Sequence, residues 1–343
     1  MKAVSWRLAM TGSLLAVLSA PSLARGDELE AQRLALLKRI EESHHPTEAQ
    51  MKRVREIFAA SPHIGQGNPA VTHHAATTEA CRKKLAHEGV TYENPLFERV
   101  CGAPYMAPLY DPDREGPEDA KACIDQFEFP DVPCDYPVVW VRAKEAVELC
   151  AALGKRICDA HEWEGACEGR LLAPDYDFAL AKGRPEAQAQ TALGTAHNRH
   201  WAPKRSWSYG PEFKRGVCAQ SSTKDAACNG GQWETCGSNH YPVGFFPGCK
   251  SPLGVYDLNG NAAEHMNLPL AEDALASRGS TTLGVCEMKG SWFIWDSFQA
   301  HPDWCRWRAP SWHFCHVTDA DSHRNYHLGF RCCKTLESTH QGP

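Results

Sequence analysis

"GVYDLNGNAAEH", residues 254–265, decides how this chain is read. From Asp257 to Glu264 it packs two carboxylates, two amides and a glycine around the small Ala262 and Ala263. So much side-chain oxygen at such short range makes a tight loop, either an Asx-type turn or a site for a hard cation. An EF-hand is excluded: counted from Asp257, Gly260 is fourth and Glu264 eighth, where that motif needs its glycine sixth and its glutamate twelfth.

Short elements flank the loop. "CIDQFEFP" (123–130) alternates as a strand does, and "YPVVWV" (136–141) is a second extended segment. "AKEAVELCAALG" (143–154) reads as a helix closed by Gly154. "DAHEWEGACEG" (159–169) starts another, with Asp159 as N-cap and Glu162 three residues on. Beyond Gly169 the periodicity dissolves into Gly-, Pro- and Asn-rich loops, relieved by extended pieces at "MKGSWF" (288–293) and "HLGFRCC" (327–333). Upstream, Leu29, Leu36, Leu37 and Ile40 form one stripe of a helix over Asp27 to Glu42. Thr47 and Gln50 have capping-box spacing for a second, whose apolar face is Met51, Val54, Ile57 and Phe58. A short helix follows at 78–85, and a proline-rich stretch at 104–119 marks a boundary. The expected division is an N-terminal helical segment over 25–115, a main domain over 116–336 and a tail over 337–343. Long ordered loops in a compact domain call for disulfides or bound cations to hold them.

The start of the chain is that of an exported protein. Lys2 and Arg7 precede an apolar run from Leu8 to Ala20, and Ser22-Leu23-Ala24 offers small residues for cleavage near Ala24. The run is too short to cross a bilayer comfortably. Residues 1–24 are therefore expected to be a signal peptide and the mature protein periplasmic or secreted. Sixteen cysteines, all beyond Ala24 and none in a Cys-x-x-Cys pair, agree with an oxidising compartment and paired thiols. That spacing disfavours zinc. A net charge of −6 without a long basic stretch argues against nucleic acid as a partner.

Four blocks, "YPVVWV…EAVELCAALGKRICDAHEWEGACEG", "GVYDLNGNAAEH", "KGSWF" and "LGFRCC", together resemble the sulfatase-modifying-factor family of formylglycine-generating enzymes, over roughly residues 120–335. The resemblance implies an α+β, C-type-lectin-like fold with long loops and little regular secondary structure. It implies a structural calcium held by the Asp257 side chain, the Gly260 and Ala262 carbonyls and the Glu264 carboxylate. His265 stands where members of the family carry tryptophan, and the loop around "RGVCAQSS" lacks the asparagine of a second calcium site. Disulfides between Cys150 and Cys332 and between Cys167 and Cys305 are also implied, with Cys315 as a substitute for Cys305.

Formylglycine-generating enzymes hold copper(I) through two thiols shortly after a Gly-Ser motif, because copper(I) needs soft donors. After Gly290-Ser291 the matching positions fall at about Ile294 and Gln299, and no cysteine appears before Cys305. Copper is not expected. The same stretch holds Trp292, Trp295, Trp304, Trp307 and Trp312, which suit either a ligand groove or a packed core. Histidines crowd it too. A two-histidine, one-carboxylate iron site can be drawn from His301, His313, His316, His323 and His327 with Asp296, Asp303, Asp319 and Asp321, and the candidate catalytic residues are His265, His313, His316 and His327. Two functions follow: an oxidative, non-haem metal enzyme that does not use the copper-thiol route, or a lectin-like binding module that has lost its chemistry. Either takes a small-molecule, peptide or glycan ligand.

Overall fold

A computed structural model describes residues 22–229 and 231–337. Most of the expected signal peptide, residues 1–21, lies outside the described residues, as does nearly all of the tail, 338–343.

Two small sheets form the frame. Strands β1 (Met106–Leu109), β2 (Ala122–Asp125), β3 (Arg156–Ile157) and β7 (Cys332–Thr335) make an antiparallel sheet in the order β1-β2-β7-β3. Strands β4 (Ala263–Leu268), β5 (Val285–Lys289) and β6 (Leu328–Phe330) make the other, in the order β5-β4-β6, with β4 and β6 parallel. Only Arg331 separates β6 from β7, so the chain crosses from one sheet to the other at that residue. Of the extended segments expected from sequence, 123–130 yields a strand only as far as Asp125, and 136–141 contributes a single bridge, Gly65 to Val139.

The two N-terminal helices are part of the core. Helix α1 (Ser22–His44) and helix α2 (Glu48–Ala60) bury Leu36, Ile40, Met51, Val54, Ile57 and Phe58 against Phe129, Val138, Leu149 and Phe330. Thr47 and Gln50 close the capping box that starts α2. The Arg39 guanidinium reaches Asp135 at 2.5 Å, and Arg33 donates to the Ser61 carbonyl at 2.6 Å. The division expected at 115/116 has no counterpart in this packing, since β1 before it pairs with β2 after it. Helices α3 (Thr78–Glu88) and α4 (Pro95–Cys101) lie between.

Helix α5 (Ala143–Ala152) ends two residues before Gly154, and α6 (Ala160–Glu168) opens with the Glu162 carboxylate accepting from the Asp159 N–H at 2.9 Å. Beyond Gly169 the structure departs from the sequence expectation of loops. After the single turn α7 (Phe178–Ala181), the segment Glu186–Trp201 is a sixteen-residue helix, α8. Alanine, glutamine and leucine favour it, and Ala189, Leu193, His197 and Trp201 recur every four residues on its buried side. Its signal is weakened in sequence by a central Gly194 and a polar remainder.

All sixteen cysteines are paired, in eight bridges. Cys150 joins Cys332, and Cys167 joins Cys305. Cys315 joins Cys286, so it is not a substitute for Cys305. Adjacent residues of a strand point to opposite faces; hence Cys332 reaches α5 while Cys333 reaches Cys158. Among the described residues no helix is long and apolar enough to cross a membrane.

If the N-terminal helices are a brace rather than a loose arm, Leu36→Ala should cost about 2–5 kcal/mol in urea unfolding. The exposed Leu34→Ala should change stability by no more than about 0.5 kcal/mol. Equal effects at the two positions would contradict the packing described.

Candidate functional site

The loop quoted first is a buried junction. Asp257 and Asn261 take the left-handed conformation, as does Gly260 (φ 87°), where a Cβ would lie 2.6 Å from the Ala219 carbonyl. The Glu128 carboxylate clamps the loop, accepting from the Ala262 N–H at 2.6 Å and the Asn261 side-chain amide at 2.7 Å. Asn259 Oδ1 accepts from the Ser208 N–H, and its amide donates to the Asp303 carbonyl.

Glu264 faces Arg331. Its two oxygens accept from Arg331 Nε at 2.6 Å and Nη2 at 2.7 Å, and Oε2 also accepts from the Trp163 indole at 3.1 Å. The remaining donors of Arg331 reach the carbonyls of Asp125, Gln126 and Tyr256. A calcium ion held through Glu264 would share that carboxylate with a guanidinium. Asp257 would be the other anionic ligand, and it already accepts from the Gly244 N–H at 2.6 Å. Burial, above all, pushes Asp257 up to about 7. Two of the four expected donors, the Asp257 and Glu264 carboxylates, are thus already bonded within the chain, Glu264 to the Arg331 cation.

Gly290 (φ 76°) turns the chain where a Cβ would meet the Leu258 carbonyl at 2.9 Å. Ser291 then accepts from the Gly260 N–H at 2.8 Å and donates to Asp303 at 3.2 Å. Of the two positions that correspond to copper thiols, Ile294 is buried in the aromatic core and Gln299 is exposed. Four of the five clustered tryptophans are interior. Trp292 and Trp295 pack with Phe293, Ile294 and Trp140, while Trp304 and Trp307 pack with Trp201. Only Trp312 is exposed, in company with Phe298 and Phe314.

The histidines are stacked rather than convergent. His301 lies flat on Trp307 at 4.4 Å, His327 on Trp292 at 4.7 Å, and His313 on His323 at 4.0 Å. Burial first, then neighbouring potential cations, lowers His323 to about 4 and His327 to about 3. Burial also lowers His265 to about 4, and its Nε2 bonds the Val141 carbonyl at 3.0 Å. His316 sits apart, on Glu186 at 2.9 Å. Among the described residues, one trio of His, Cys, Asp or Glu brings ligand atoms within 4.8 Å of one another: Glu164, Asp175 and His197. Cations of the chain already fill it, Lys289 at 2.6 Å and Arg308 at 2.8 Å from Glu164. The candidate histidines therefore do not fit an iron ion.

What does come together is a cavity at the edge of the β5-β4-β6 sheet. His265, His313 and His323 line it, with Gln190 from α8, Glu287 from β5 and Trp312 at the exposed rim. The Cys286–Cys315 bridge pins the rim loop to β5, helped by the Cys286 N–H bond to the Cys315 carbonyl at 2.9 Å. It offers about 40 Å³ to the centres of water-sized molecules, space for about three waters or one small head group. Neither Gln190 nor Glu287 stood out in sequence. Glu287 sits in an alternating strand beside the family motif, and Gln190 in helix α8, whose sequence signal is weak. A buried acid on an edge strand was the available signal.

Two outcomes test this geometry. Arg331→Lys keeps the charge but loses the fork, so it should cost about 3–5 kcal/mol in urea unfolding; an unchanged midpoint would contradict the clamp. Burial pushes Glu287 up from 4.5 to about 7. The unfolded chain thus releases this proton at lower pH than the fold does, and stability is lost through Glu287 as pH rises across that window. Glu287→Gln removes the loss, so its advantage over wild type should widen by about 2–3 kcal/mol from pH 5 to pH 8. A constant difference would contradict the assignment.

No curated protein sequence matches the chain. Among solved structures, PvdO from Pseudomonas aeruginosa aligns at 17% identity over 80% of this chain and 80% of its own, with a TM-score of 0.29. CarF aligns at 13% identity over 80% of this chain and 86% of its own, with a TM-score of 0.28. Residues 74–336, with the buried loop, the Gly-Ser turn and Arg331 among them, match the family described as "Sulfatase-modifying factor enzyme 1-like domain". That span is well over half of the chain, and this protein belongs to the sulfatase-modifying factor family.

Proposed function

We propose that this family member is an extracytoplasmic ligand-binding protein rather than an oxidase of the copper-thiol type. The observation that carries the reading is the cavity beneath Trp312, walled by the imidazoles of His265, His313 and His323. The His313–His323 stack and the exposed indole make flat contact surfaces, which suit a small molecule or a peptide side chain. The positions that would hold copper carry Ile294 and Gln299, and Cys305 is bonded to Cys167. Neither side chain presents a soft donor. This reading calls for neither calcium nor iron: the Asp257 and Glu264 carboxylates are bonded within the chain, as are His265 to the Val141 carbonyl and His316 to Glu186. Eight disulfides support an oxidising compartment.

Incubation with a sulfatase-type cysteine peptide, copper and oxygen should yield no aldehyde by mass spectrometry. Ligand-observed NMR against small amphipathic molecules should find binders that weaken at least about tenfold on Trp312→Ala and are indifferent to EDTA. Efficient aldehyde formation, or ligands insensitive to Trp312→Ala, would overturn the proposal.

A further inference from the structure

The cavity beneath Trp312 carries a chemical preference, which rests on the binding reading above. Strand register fixes which side chains form its floor. His265 pairs with Met288 on β5 and with Phe330 on β6. Alternation along the strands then puts Cys286 and Leu328 on that same face, and His265, Met288, Cys286 and Leu328 all line the cavity. Glu287 pairs with Met266, so its side chain belongs to the opposite face. His265 is only 3% exposed, and its Nε2 bonds the Val141 carbonyl at 3.0 Å. A carbonyl can only accept, so Nε2 carries the proton and Nδ1 the lone pair. No described group donates to Nδ1, yet Nδ1 keeps accessible surface, whereas the unpartnered oxygens of Gln190 and Glu287 are enclosed. The floor therefore offers one open acceptor, an imidazole nitrogen.

The surroundings of that nitrogen select against charge. Among the described residues no lysine or arginine lines the cavity to meet an anion. The one acid in the lining, Glu287, has its carboxyl on the far face and cannot meet a cation here. Burial, above all, lowers His265 to about 4, so the imidazole itself is neutral. The remaining surfaces suit an aromatic ring. Met288 brings a thioether, which packs well against ring edges, and the Trp312 indole at the rim is flat and exposed. The donor that fits Nδ1 can be narrowed further. A hydroxyl brings an acceptor oxygen along with its proton, and the floor has no donor to meet it. A pyrrole-type N–H brings a donor alone. His313 is exposed and His323 half-buried, so their ring nitrogens are served by water.

We infer that the cavity binds an uncharged aromatic ring through a pyrrole-type N–H, which donates to His265 Nδ1 while the ring packs on Met288, Leu328 and Trp312. Free indoles and tryptophan side chains share this chemistry.

The test is calorimetric titration of the full protein at pH 7 with indole, with Nα-acetyl-tryptophan amide and with benzofuran. Benzofuran keeps the shape of indole and replaces its N–H by an oxygen. It is the more apolar of the two, so without a hydrogen bond it should bind at least as well as indole. With the bond, at least one N–H ligand should bind at least about tenfold more tightly, because benzofuran leaves Nδ1 unpaired. Whichever N–H ligand binds better identifies the source of the group. The nitrogen-15 resonance of His265 Nδ1 should shift with that ligand and not with benzofuran, which tests the contact without any substitution. His265→Phe should erase the advantage over benzofuran, and its melting curve verifies folding. If benzofuran binds as tightly as both N–H ligands and the resonance does not distinguish them, the N–H assignment is wrong and the cavity still binds ligand. If none of the three binds, the assignment is also wrong, and the ligand screen with Trp312→Ala decides the binding reading on its own.

Discussion

Arg331 is the residue on which this structure turns. Its five N–H donors are all used, two on Glu264 and three on the carbonyls of Asp125, Gln126 and Tyr256. Those acceptors belong to the end of β2, to the loop before β4 and to β4 itself, while Arg331 is the link between β6 and β7. One planar guanidinium therefore fixes where the two sheets meet. A buried pair is weak evidence of stability when set against an apolar replacement, but breaking one partner leaves an uncompensated charge. The specificity of the junction, rather than extra stability, is what the fork contributes.

Around that junction the acids outnumber the bases. Glu128, Asp257 and Glu264 are fully buried beside one arginine, and burial raises all three carboxyls. The fold answers by giving them N–H donors: Ala262 and Asn261 for Glu128, Gly244 for Asp257. The second polar centre, Glu164 with Lys289, Arg308 and Asp175, is close to neutral and lies behind β5. Glu287 stands at the edge of this second centre, 3.9 Å from Lys289.

Much of the fold was legible in the sequence because its signals are local. The capping box of Thr47 and Gln50, the stripe from Met51 to Phe58 and the start of α6 at Asp159 are written in a few neighbouring residues. The motif blocks around 254–265, 290–291 and 328–333 led to the family. Helix α8 was not legible, because its buried stripe of alanine, leucine, histidine and tryptophan carries little hydrophobic contrast. The tryptophan cluster illustrates a different limit. Five tryptophans in one stretch suit a groove or a core equally well in sequence, and only packing shows that Trp312 alone reaches solvent. The histidines misled for a related reason. Their number suggested ligation, whereas His301, His327, His313 and His323 lie in ring stacks and His265 and His316 bond other partners.

The central claim is that Arg331, a cation of the chain itself, pairs with the Glu264 carboxylate where a bound metal ion would otherwise sit. Elemental analysis of the protein purified without chelators, paired with its melting temperature before and after EDTA, tests this most directly. The expected result is well under one equivalent of calcium, iron or copper and no change in melting. One equivalent of calcium whose removal lowers the melting temperature would contradict it.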